Sequence, residues 1–164
     1  MDQIQLVEEA VLSAAAALPG PERPPRVLAA RDCRPQQLTD ALICLTRSCA
    51  PGEVAVLADR TPQGSGREGF LFAADRFYAD EEELCVDAFS KRRLVTPVYY
   101  RDLAAVRPDP QTPGALCFCF CDGRREVAAV PHYSGFVCAA LNAVLQALQA
   151  AEAEGGPAAA PEKG

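Results

Sequence analysis

Cys117, Cys119 and Cys121 alternate with Phe118 and Phe120. In an extended strand, period 2 puts the three sulfurs on one face and the two rings on the other. Same-face positions lie about 6.5–7 Å apart. Tetrahedral zinc takes Zn–S near 2.3 Å, so its sulfurs sit roughly 3.8 Å apart and a straight strand supplies them poorly. Cys138 or His132 would have to complete such a site. The simpler reading makes the thiols small hydrophobes facing the core or a helix. His132 is the only histidine. A Cys–His dyad would need a thiol beside it in a cleft and an orienting partner. Its setting, Val-Pro-His-Tyr-Ser, points instead to a turn leading into a helix.

Residues 64–69, GSGREG, match the letters of a dinucleotide loop. That loop must open a helix whose N-terminus holds the pyrophosphate. Here Phe70-Leu71-Phe72 follows, a strand pattern, so the glycines are expected to form a hairpin turn. The run from Asp80 to Glu83 lacks the alternation of a calcium loop and reads as a solvated connection. Lys91, Arg92 and Arg93 form the cationic cluster, and Arg60, Arg67 and Arg76 flank the turns near it. Arg60, Arg67, Lys91, Arg92 and Arg93 are therefore the candidate partner-binding residues. Ordinary charged loops are the plainer account of the same residues. No catalytic set, cofactor motif or metal site stands out.

Composition narrows the classes. The chain has 164 residues, 49% hydrophobic and 23% charged, which suits a globular domain with a real core. Its net charge of −6 repels phosphate backbones and argues against nucleic acid. The first residues lack a basic region and carry Asp2, Glu8 and Glu9. No signal peptide or transmembrane helix is expected, and the expected location is the cytoplasm, with the eight cysteines reduced.

Periodicity places the elements. Ile4, Val7, Val11, Ala14 and Leu18 predict a helix over about 2–18, with Asp2 at its cap. Residues 19–25 form a proline-rich linker. Leu38, Ala41, Leu42, Leu45 and Cys49 predict a second helix over about 35–49, with Pro35 in its first turn. The type of the apolar run 27–30 stays open. Strand patterns follow at 54–56, 70–72, 77–78, 94–100, 103–106, 115–121 and 125–130. Asp122-Gly123 between the last two is a strong hairpin signal. A helix over about 135–151, with Ser134 as cap, bears no charge until Glu152 and is expected to be largely buried. The expected organisation is a helical extension over 1–50, a folded domain over 51–151 and a disordered tail over 152–164.

The order of these features, from the GREGFLF strand through DRFY, VYYRDLAAV and the CFCFCDGRREVAAV hairpin to one amphipathic helix, resembles the bacterial pleckstrin-homology-like family. The matching residues are Gly66, Gly69, Phe70, Leu71, Phe72, Tyr78, Tyr100, Asp102, Leu103, Asp122 and Gly123, over about 53–148. The resemblance implies an α+β fold. Its strongly bent antiparallel sheet of about seven strands is a partly open barrel capped by the C-terminal helix. It implies no enzyme and fixes no ligand. The expected function is non-catalytic recognition of a protein or peptide, by β-augmentation or helix docking. A homodimer through the N-terminal helices is a further expectation. Three alternatives stand beside it: a small acidic dimeric secretion chaperone, a module for anionic lipid headgroups, and a zinc- or thiol-dependent enzyme.

Overall fold

Asp2 opens the first helix, α1 (Gln3–Ala16), by accepting the Gln5 amide hydrogen at 2.9 Å. The computed structural model describes residues 1–80, 85–87, 92–93, 96–130 and 132–159. Val7, Val11 and Ala15 are buried along one stripe of α1. The helical register places Ala15, rather than Ala14, on that stripe. After a short 3-10 turn at Gly20–Glu22, the apolar run forms an edge strand, β1 (Arg26–Ala29). Helix α2 (Pro35–Leu45) buries Gln37, Ala41 and Leu45.

Strands β2 (Val54–Asp59), β3 (Gly69–Ala73), β4 (Arg76–Ala79), β5 (Cys85–Asp87), β6 (Arg92–Arg93), β7 (Val98–Tyr99), β8 (Leu103–Pro108), β9 (Ala115–Phe120) and β10 (Arg125–Ala129) follow, then helix α3 (Ser134–Ala159). They form two antiparallel sheets, ordered β1-β2-β3-β4-β7 and β6-β5-β10-β9-β8. The expectation of a single bent sheet of about seven strands is thus corrected to two sheets of five. The strand orders take the chain from one sheet to the other after β4, back after β6 and across again after β7, this last time at Tyr100–Asp102, a 3-10 turn. The Tyr100 side chain turns inward there, and its hydroxyl lies 2.8 Å from the Ala73 carbonyl and 3.0 Å from that of Arg76.

The main core lies between the sheets and under two helices. Phe70, Phe72, Phe77, Phe118 and Phe136 are fully buried in it, with Val7 and Val11 of α1 and Leu141 and Val144 of α3. A second core lies on the other face of the N-terminal sheet, where Ala41 and Leu45 of α2 meet Leu57, Leu71 and Tyr78. Residues 1–50 thus supply an edge strand and covering helices to the same cores. The α1 stripe offered to a second copy in the dimer reading packs instead against α3 and β2 of its own chain.

Two expected boundaries change. Tyr133, at φ 61°, occupies the cap position in place of Ser134, its carbonyl accepting the Val137 amide hydrogen at 3.0 Å. Helix α3 continues to Ala159, so residues 152–159 are helical rather than a disordered tail. Alanine and glutamate in Ala151–Glu154 favour that continuation. By length and composition Ser134–Glu154 would suffice to cross a membrane, and its Phe136, Val137, Ala140, Leu141 and Val144 face lies in the protein core. The predicted tail residues 160–164 lie outside the described residues.

Candidate functional site

A groove of about 730 Å³ opens where the early turns of α1, the second half of α3 and the sheet-changing segment meet. Leu6, Leu103, Leu145 and Leu148 provide its apolar floor, and Tyr99, Arg101, Gln149 and Glu152 its polar rim. Each element is held for a local reason. The Gln3 side-chain amide donates to the Ala74 carbonyl at 2.7 Å and pins the start of α1 to the β3–β4 turn. Tyr100 anchors the segment from beneath, and burial holds its phenol well above the ordinary tyrosine range. The Arg101 guanidinium lies 4.9 Å from the centre of the Tyr99 ring, within cation–π reach. Cys121 also borders the groove, its sulfur 3.6 Å from the Arg101 carbonyl oxygen. The arrangement suits burial of apolar side chains with hydrogen bonds around them.

The glycine loop does different work. Asp59 is buried at the end of β2. Its carboxylate accepts hydrogen bonds from the Gln37 amide at 2.9 Å, the Gly66 amide at 2.9 Å, and the Thr61 amide and hydroxyl at 2.9 and 2.6 Å. Arg34 donates to the Gly64 carbonyl at 2.6 Å. The loop is thereby tied to α2. Gly66 has φ 77°, and a Cβ there would lie 2.3 Å from the Gln37 carbonyl oxygen. Only glycine fits this approach. The loop leads into strand β3, as its apolar sequel predicts, and its amide at Gly66 is spent on Asp59 rather than on a phosphate.

Phe118 and Phe120 face the core, while Cys117 and Cys119 lie on the outer face of the C-terminal sheet. The period-2 reading holds, and the expectation that the thiols face the core or helix is corrected. Cys121 lies beyond the strand, exposed in the hairpin turn. Cys138 is held elsewhere, 3.4 Å from the Val106 carbonyl and 3.5 Å from the Asn142 amide nitrogen. Among the described residues, no three His, Cys, Asp or Glu side chains are grouped to hold a metal ion. His132 borders a hollow lined by Pro21, Glu22, Tyr133, Ser134 and Gly135. Among the described residues, no thiol lines this hollow beside His132.

The basic candidates separate. Arg60 and Arg67 share the β2–β3 connection. Arg60 pairs with Glu68 at 3.1 Å and Asp80 at 3.3 Å, and Arg67 approaches Asp40 of α2 at 3.4 Å. Arg92 and Arg93 lie on β6, at the edge of the other sheet, and Lys91 lies outside the described residues. The groove residues escaped the sequence reading because three distant segments build it. The signal on offer was Tyr99-Tyr100-Arg101, an aromatic and cationic run just before Asp102.

Among the described residues, fold and site together define an α+β protein of two antiparallel sheets and three α-helices with an amphipathic groove at their junction. Comparison with known proteins finds no family model, curated protein or solved structure that matches the chain.

Proposed function

We propose that this chain is a cytoplasmic, non-catalytic binding module of the pleckstrin-homology-like kind, and that it recognises an amphipathic segment of a protein partner. The observation that carries this reading is the groove, with four leucines on its floor and polar groups around them. Such a surface rewards burial of apolar side chains and orients them through its rim. The family reading rests on the order of the GFLF strand, the Asp-Gly hairpin and the C-terminal helix along the sequence. The lipid-headgroup alternative loses support because Arg60 and Arg67 already face carboxylates of the same chain.

β-Augmentation along β8 is disfavoured. Asn142 of α3 covers that edge, its side chain accepting from the Val106 amide at 3.1 Å and donating to the Val106 carbonyl at 2.7 Å. Docking into the groove leaves this arrangement intact.

The test is selection of peptides from a displayed library on the immobilised protein, followed by affinity measurement on the selected sequences. Leu148 is half-buried at the groove, so Leu148→Arg removes apolar surface and adds a charge with little cost to the core. It should weaken binding by about tenfold or more. Unchanged affinity in a folded Leu148→Arg protein would remove the groove as the binding surface.

A further inference from the structure

We infer that Cys117 and Cys119 form a hydroperoxide-reactive dithiol on the outer face of the C-terminal sheet, with Arg107 and Arg125 as its cationic surround. The sulfurs lie 3.8 Å apart, and Arg107 Nη2 donates to Cys119 Sγ at 3.2 Å. Strand register explains the grouping. Cys117 pairs with Arg107 on β8, and Cys119 pairs with Arg125 on β10. Arg107, Arg125 and Cys117 line one hollow of about 490 Å³ with Pro108, Asp109 and Pro110.

Packing does not require sulfur here. The core side of β9 is supplied by Leu116, Phe118 and Phe120, while Arg107, Arg125 and Val127 on the thiols' own face are exposed. The surroundings favour the thiolate at one position over the other. Burial pushes the Cys119 thiol up, but the Arg107 hydrogen bond, Cys117 and the charges of Arg107 and Arg125 together bring it below the ordinary value. Burial and the neighbouring Cys119 push Cys117 the other way. The thiolate is the nucleophile. The Arg107 guanidinium donates to Cys119, which is 8% exposed beneath it, so Cys119 attacks and the more exposed Cys117 resolves. Two guanidiniums repel a metal cation, but they stabilise both a thiolate and the anionic oxygen leaving from a peroxide.

The chemistry balances with a hydroperoxide as oxidant. The Cys119 thiolate attacks one peroxide oxygen. An S–O bond forms, the O–O bond breaks, and the departing oxygen takes a proton to leave as water or an alcohol. The Cys117 thiolate then attacks the sulfenic sulfur. An S–S bond forms, the S–O bond breaks, and the hydroxyl leaves as water after taking a proton. Two electrons pass from the dithiol to the peroxide. A soluble thiol reverses the change by exchange, becoming a disulfide itself. Same-face strand positions, about 6.5–7 Å apart at Cα, sit at the long limit of disulfide geometry. The bond should therefore be easily reduced.

The reduced full-length protein, carrying Cys121→Ser so that the proteolytic fragment contains only the two thiols of interest, is treated with hydrogen peroxide. Thiol alkylation and mass spectrometry then map the products. The Cys117–Cys119 fragment should lose two hydrogens and regain them with a soluble thiol. Adding Cys117→Ser should trap Cys119 as a dimedone-reactive sulfenic acid. Arg107→Gln, an exposed position that should not disturb folding, should slow oxidation by roughly tenfold, the effect of one unit in thiol acidity. Exposed Cys44 serves as an internal comparator in the same sample. Oxidation of Cys119 no faster than Cys44, an unchanged rate in Arg107→Gln, or bound metal on the reduced pair would each overturn the inference.

Discussion

The two sheets differ on their outer faces. That of the N-terminal sheet lies under α2, where Leu57, Leu71 and Tyr78 meet Ala41 and Leu45. That of the C-terminal sheet carries Arg107, Cys117, Cys119, Arg125 and Val127, and no helix covers it among the described residues. The strand sequences follow this difference. Every residue of β2 and β3 is buried, the pattern of strands covered on both sides. Strand β10 alternates, with Ala128 buried between exposed Val127 and Ala129. Strand β9 departs from both patterns, being apolar throughout although one face is uncovered. Its outer positions are cysteines shaded by arginine side chains. Thus the covered face is filled by apolar side chains that meet α2, whereas the uncovered face carries half-buried Cys117 and buried Cys119 beside exposed Arg107 and Arg125.

Removing the apolar contact on the covered face tests the comparison most severely. Leu71 is fully buried beneath α2, and Leu71→Ala should cost about 2–5 kcal/mol in urea unfolding. A cost below about 1 kcal/mol would mean that α2 does not seal this face.

A smaller effect is expected where the glycine loop ties α2 to the sheet. Gly66→Ala introduces a Cβ against Gln37 at a positive φ and should cost about 1–3 kcal/mol. Hydrogen exchange should show the loss concentrated in α2 and the β2–β3 connection. Uniform loss across both sheets would argue against a local latch.

The third prediction separates the thiols of the two regions by pH. On the α2 side, burial raises the Cys33 thiol from 9.0 to about 11, and burial also raises Cys49. Tyr100, fully buried between the sheets, is raised as well. Groups raised in the folded state stabilise it fully while both states are protonated. Their contribution is lost as pH rises past the unfolded values, about 8.5 for cysteine and about 10 for tyrosine. Unfolding free energy should therefore decline from about pH 9 upward, with Tyr100 alone adding a slope of up to about 1.4 kcal/mol per pH unit above about pH 10. Cys119, lowered in the folded state, contributes with the opposite sign. A stability flat through about pH 11 would show that the raised groups are more hydrated than their burial implies.

Much of the local structure was legible. The Leu38, Ala41, Leu42 and Leu45 spacing identifies the face that α2 presents to the sheet, because helical period and burial coincide there. Asp122-Gly123 identified the β9–β10 hairpin, and Gly123 adopts φ 92° in a turn closed by its amide on the Phe120 carbonyl at 3.0 Å. The alternation of Cys117 and Cys119 with Phe118 and Phe120 assigned opposite faces correctly. It pointed the thiols to the core or a helix and the structure turned them outward, because both faces of that strand are apolar and the alternation alone does not tell them apart.

What the sequence by itself determined is local: helical stripes, a glycine-dependent turn, and the two-residue period that pairs the thiols. Each depends on residues a few positions apart, whose geometry the backbone sets directly. Only the tertiary structure decided that the strands split into two sheets and that Asp59 gathers the glycine loop against α2. It alone also placed Arg107 and Arg125 on either side of Cys117 and Cys119. These arrangements join positions far apart in the chain, and their register depends on which surfaces the helices cover. Burial then assigns one cysteine-bearing face to solvent and gives identical side chains opposite tendencies to ionise.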